Sequence, residues 1–321
     1  MCPFRIFLHP RDISFELLKE STSYFGHNPR RCFDASTSES QLQRQKTRVI
    51  FRASDAAQNT PLRLMHASQF GGSGAELSNI FFEIFPSNDS RYLEDCRFGA
   101  VSQWALDLLL MKYEKSQADA AASLYRALSD IPHAASLRGH LFERQVLNYL
   151  DGIEAPRDFT ICGLTNYNQT TWTYCGPTRS FTFREQKTFC EELTKAVRSG
   201  ESLHLRPAAR NFPTVDSILY NPNDSHGVFT CIQTTVSSEH PIAVSRLQHI
   251  QSWLTPKTAL ADLCPSKTMP WRFIFVVPRD TAPDFKLQKL QGDTAMGSWA
   301  GKVQQHVLEF DVLSMYSGAL K

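Results

Sequence analysis

The sequence predicts an α/β fold with a mixed sheet, on three observations. Residues 135–152 (ASLRGHLFERQVLNYLDG) set Leu137, Leu141, Val146 and Leu150 on one helical face. The stretch 271–278 (WRFIFVVP) is a near-continuous apolar run, as a strand buried on both faces requires. Around them the order runs helix, strands, helix, strand, which puts strands at the centre of a layered unit.

Taken in order, the first hundred residues are uneven. ISFELLKE has a short helical pattern ahead of a Gly-His-Asn-Pro break, and residues 36–48 (STSESQLQRQKTR) read as helical or mobile. Residues 67–78 form a Gly/Ser loop with no Gly-Lys-Ser/Thr after Gly74, so no phosphate loop is expected there. IFFEIF reads as a strand. Residues 98–128 read as one long helical region with Trp104, Leu108, Met111 and Lys112 near one face, broken at Pro132. This places a mainly helical region over 1–130 and a second domain over 131–321. In the second domain DFTICGL, QTTWTYCG, RSFTF and SLHLRP read as strands, and residues 184–200 as a helix stopped by Gly200. TVDSILY and GVFTCIQTT form a hairpin around the turn-forming NPNDSHG, residues 242–254 form a helix, and VQQHVLEFDV closes the domain.

The chain has 321 residues, 42% apolar and 21% charged, enough for one large domain or two ordinary ones with a packed core. A formal charge of +2 is too small for nucleic-acid binding by bulk charge, so such binding needs a local patch. Eight scattered cysteines with no CxxC read as reduced thiols in an intracellular compartment. The arginine inside the first apolar run argues against a secretory signal, and no run approaches a membrane span in length, so no membrane partner is expected.

One constellation could carry chemistry. Metal-dependent phosphodiester cleavage needs oxygen ligands that hold Mg²⁺ and activate a water. Asp216 lies mid-strand in the hairpin, and Gln233 and Thr235 end the next strand. Period-two alternation points Gln233 and Thr235 the same way, and pairing carries them towards Asp216. Glu143, on the preceding helix, could complete the ligand set, although its ordinary reading is a solvated helix acid. His240 precedes a proline and a helix, a place for a proton shuttle or a structural residue. Arg138, Arg144, Arg206, Arg210 and Arg246 flank these elements and form either a phosphate-contacting patch or a normal solvated surface.

Four pieces in order, SLRGHLFERQVLNYL, RNFPTVDSILYN, FTCIQTTVSSEHPI and WRFIFVVP, resemble the restriction-endonuclease-like domain of fungal and oomycete Crinkler proteins and the related retrotransposon hot spot proteins of trypanosomes. The resemblance covers about residues 118–310. Upstream, STSYFGHNPRRCF resembles the tail of the ATPase region that precedes this domain in many members; without a phosphate loop, a working ATPase is not expected. The resemblance implies the αβββαβ core of PD-(D/E)xK nucleases, with the helix acid at Glu143, the strand aspartate at Asp216, the ExK position written as Gln233-x-Thr235, and a recurrent histidine at His240. It implies weakly held Mg²⁺ or Mn²⁺, DNA as partner, an ATPase or host protein as a further partner, and an effector role with the host nucleus as site of action. Gln233 offers a neutral oxygen and Thr235 no cation, so a non-catalytic nucleic-acid or protein-binding module of the same fold is the alternative.

Overall fold

The computed structural model describes residues 13–26, 28–57, 80–86, 96–116, 125–126, 128, 135–208, 212, 214–224, 227–255, 259–292 and 299–312. The Gly/Ser loop at 67–78 lies outside them, as do Arg210 and the helical reading over 117–124. The chain divides into two compact units, one up to Arg138 and one over Gly139–Met315.

The first unit holds α1 (Phe15–Phe25), α2 (Pro29–Ala35), α3 (Glu39–Ala56), the antiparallel pair β1 (Phe82–Pro86) and β2 (Cys96–Ala100), and α4 (Gln103–Ser116). Each of the first three helices begins at a side-chain cap. Ser14 accepts from the Leu17 N–H, Asn28 from Arg31 and Ser38 from Gln41. α1 stops at Gly26, where φ is +59° and an added Cβ would sit 1.9 Å from the Val101 carbonyl oxygen, so only glycine fits. The polar 36–48 segment is helix from Glu39, because Leu42, Val49 and Ala53 recur on one buried face. The long helix read from residue 98 is a correction. Residues up to Ala100 pair with β1, and α4 begins only after Ser102, whose hydroxyl accepts from the Ala105 N–H. Its buried face is Ala105, Leu106, Leu109, Leu110 and Tyr113, with Met111 exposed. The sequence there is apolar almost all round, so periodicity alone left the face ambiguous by one position.

The unit boundary falls in the first turn of α5 (Ala135–Asp151), and the second unit holds this helix from Gly139 on. The second unit continues through β3 (Arg157–Gly163), β4 (Gln169–Tyr174), β5 (Arg179–Phe183), α6 (Gln186–Ser199), β6 (Leu203–Pro207), β7 (Ser217–Tyr220) and β8 (Phe229–Thr234). β9 (Ile242–Ala243), α7 (Val244–Leu254), β10 (Trp271–Pro278), β11 (Leu290–Gln291) and β12 (Val303–Phe310) complete it. Eight strands form one mixed sheet in the order β4-β3-β12-β10-β8-β7-β6-β5, while β9 and β11 form a small parallel pair. The central strands β8, β10 and β12 are parallel, and β6, β7 and β8 run antiparallel to one another in turn.

The sheet is strongly curled. Eight strands at their usual spacing would set the edges roughly 34 Å apart if flat. The edge strands β4 and β5 are joined by the short run from Tyr174 to Arg179, which reaches at most about 17 Å. The curl encloses α5: Phe142 and Tyr149 meet Phe310 of β12, Tyr149 meets Phe159 of β3, and Asp151 meets His204 of β6. On the opposite face Leu203, Leu205, Ile218, Phe229, Cys231, Phe273 and Phe275 join Phe189 and Leu193 of α6 and Leu247 and Ile250 of α7 in one core. Covering both faces explains why all eight residues of β10 are buried.

Candidate functional site

Asp216 sits one residue before β7 and its N–H bonds the Ile232 carbonyl, which fixes it beside the end of β8. Its Oδ2 accepts three hydrogen bonds: from Gln233 Nε2 at 2.9 Å, from the Thr234 backbone N–H at 2.6 Å and from the Thr234 hydroxyl at 2.6 Å. Burial raises its pKa to about 6, against the opposing pull of these bonds. The expected approach of Gln233 to Asp216 is therefore present, at the hairpin separation that the sequence carries.

Thr235 is not part of it. Its hydroxyl accepts from the Ser237 N–H at 3.1 Å, and its own N–H bonds the Val276 carbonyl. The threonine side chain that reaches Asp216, beside that of Gln233, is Thr234, the last residue of β8. A strand-end threonine flanked by Gln and Thr was the only signal, and period two selects the wrong neighbour.

Glu143 lies on α5, about one-third exposed, with the His140 ring 4.0 Å away, and its charge acts on Arg206. The side-chain hydrogen bonds described for Asp216 come from Gln233 and Thr234, not from Glu143. His240 is half-buried. Its N–H bonds the Gln288 side chain at 2.6 Å, and its ring packs edge-on to Phe275, the cross-strand neighbour of Gln233. Burial lowers its pKa, favouring the neutral ring. Gln288 and Gln305, both buried, exchange two 2.9 Å bonds between side chain and backbone, tying the His240 loop to β12.

Of the arginines, Arg246 is exposed on α7, Arg144 is half-buried on α5, and Arg138 lies over the Tyr125 ring in the first unit. Arg206 differs from its surface reading: it pairs with the Asp151 carboxylate and the Leu147 carbonyl and lines the concave face with His204. Burial lowers its pKa, partly offset by Asp151. This second polar cluster escaped the sequence reading. His204 is fully buried, its Nδ1 against Asp151 Oδ1, which also accepts from Ser180 at 2.6 Å. Its only trace in the sequence was a histidine between two buried leucines, Leu203 and Leu205, on a strand whose other face is also covered.

A magnesium ion takes oxygen ligands. The three donors around Asp216 all converge on Oδ2, one of the two carboxylate oxygens a cation could use, and no second carboxylate joins it in these hydrogen bonds. Among the described residues no group of three or more His, Cys, Asp or Glu side chains is placed to hold a metal ion. As arranged, these side chains do not fit a magnesium site. No protein-family model matches the chain, and neither a curated protein nor a solved structure does.

Proposed function

We infer that the second unit is a restriction-endonuclease-like module that binds nucleic acid without cutting it efficiently. One observation carries the loss of cutting: Gln233 donates to Asp216 where an ExK glutamate would present a second carboxylate. A single carboxylate met by three donors lacks the acceptor set that positions a metal-activated water. The binding half of the reading is supported by the resemblance and by exposed arginine on α7, at Arg246. Effector action in a host nucleus, and any ATPase or host-protein partner, are supported by the resemblance alone. No helix among the described residues is long and apolar enough to cross a membrane.

A second reading, metal-dependent DNA cleavage with Mg²⁺ or Mn²⁺ weakly held, is favoured by the raised pKa of Asp216, since such acids cluster at reactive centres. Supercoiled plasmid incubated with Mg²⁺ or Mn²⁺ separates the two. The expected result is no nicking above background by the wild-type chain, with salt-sensitive retardation of DNA in a gel shift. Nicking that disappears in Asp216→Ala would overturn the first reading in favour of the second.

A further inference from the structure

Helices α2 and α3 of the first unit border a cleft of about 370 Å³ lined by Asn28, Arg30, Arg31, Asp34, Gln45 and Arg48. That size is at the lower end of small-ligand sites. Residues 28–57 carry six basic and three acidic side chains in a nearly balanced chain, so positive charge is concentrated here. Among the described lining residues there are three guanidinium groups and one carboxylate. Among the described residues neither Arg31 nor Arg48 has a carboxylate within ion-pairing distance. Arg31 is half-buried, and burial together with the Arg48 charge works against its proton. A guanidinium keeps its charge even so, which leaves unbalanced, partly desolvated positive charge that an anion would relieve.

We propose that this cleft binds the phosphate group of a phosphorylated small molecule. A phosphate monoester brings between one and two negative charges and three acceptor oxygens, matching the excess of guanidinium groups among the described lining residues and the forked geometry of arginine. Asn28 Oδ1 is committed to the Arg31 N–H at 3.2 Å, so its amide N–H₂ remains as a neutral donor, and Gln45 carries another. The remaining volume accommodates the body to which the phosphate is attached.

Titration calorimetry of the full chain with inorganic phosphate and with glucose 6-phosphate tests this. Saturable binding is expected, about tenfold or more weaker in Arg31→Gln and in Arg48→Gln, since each removes a charge-assisted bond. Arg52→Gln, whose side chain pairs with Asp55 outside the lining, should bind as wild type does. Arg48 is exposed, so its variant tests the site even if Arg31→Gln fails to fold. Tighter binding of the sugar phosphate would assign the rest of the cavity to the ligand body; equal binding would assign the site to the phosphate alone. Failure of both probes to bind, or equal weakening by Arg52→Gln, would overturn the proposal.

Discussion

Thr234 holds Asp216 from two directions, its backbone N–H and its hydroxyl both reaching Oδ2 at 2.6 Å. Replacing Thr234 by valine keeps the shape and removes one donor from a desolvated carboxylate. Urea denaturation above pH 7 should show a loss of about 1–3 kcal/mol. The loss should shrink near pH 5, where the carboxyl is mostly protonated.

Asp216 itself gives stability an inverted acid dependence. Its folded pKa of about 6 lies above the ordinary value of 3.8, so between these limits the folded state holds a proton that the unfolded state has released. Stability from this group is therefore present at low pH and falls as pH rises towards 6. Asp216→Asn should gain on the wild type by on the order of 1–3 kcal/mol between about pH 4 and pH 7. Paired urea titrations across that range read the difference, and a flat difference would show that the carboxyl titrates normally.

Gln233→Glu converts the 2.9 Å donor bond to Asp216 into a pair of carboxyls. Without metal the variant should melt lower than the wild type, by the equivalent of about 1–3 kcal/mol. Millimolar Mg²⁺ should recover part of that loss in the variant and leave the wild type unmoved. A wild-type melting point that rises with Mg²⁺ would contradict the poor fit of its side chains to the ion.

The Asp151–His204 pair has the opposite sign. Burial disfavours the Asp151 carboxylate, but bonds from His204 and Ser180 and the Arg206 charge outweigh it and lower its pKa; burial lowers that of His204 despite Asp151. A neutral buried histidine resists a proton that the unfolded chain accepts below about pH 6.5, so stability falls on acidification through that point. Between pH 6.5 and pH 5.5 this amounts to at most about 1.4 kcal/mol. His204→Gln should flatten the interval, read by chemical denaturation at the two pH values.

Gly176 lies in the connection that draws the two sheet edges together. Its φ is +73°, and a Cβ there would sit 1.8 Å from the Ile153 carbonyl oxygen, while its own carbonyl accepts from the Ser202 hydroxyl at 3.1 Å. Gly176→Ala should cost more than about 3 kcal/mol, from positive φ and steric overlap together. Gly200, also at positive φ but with open space around its Cβ position, should cost less when changed to alanine, so denaturation midpoints of the two variants form a direct comparison.

Most elements of the second unit were legible because their signals are local. Leu137, Leu141, Val146 and Leu150 are all buried on α5, Gly200 ends α6 in a left-handed conformation, and the 271–278 run is buried throughout. The hairpin that brings Asp216 to Gln233 followed from turn chemistry and spacing. Three things did not follow. Thr234 rather than Thr235 reaches the carboxylate, because side-chain direction at a strand end depends on the partner strand. The Asp151–His204–Arg206 cluster joins side chains 53 and more positions apart that share no motif. The curl that puts β4 near β5 arises from sheet twist and from packing around α5, which no window of sequence contains. The sequence by itself determined where the backbone forms helices and strands and which residues are apolar enough to be buried, since period and capping act over a few residues. Only the tertiary structure decided which polar groups meet, because hydrogen bonds between distant strands depend on sheet order, register and curvature.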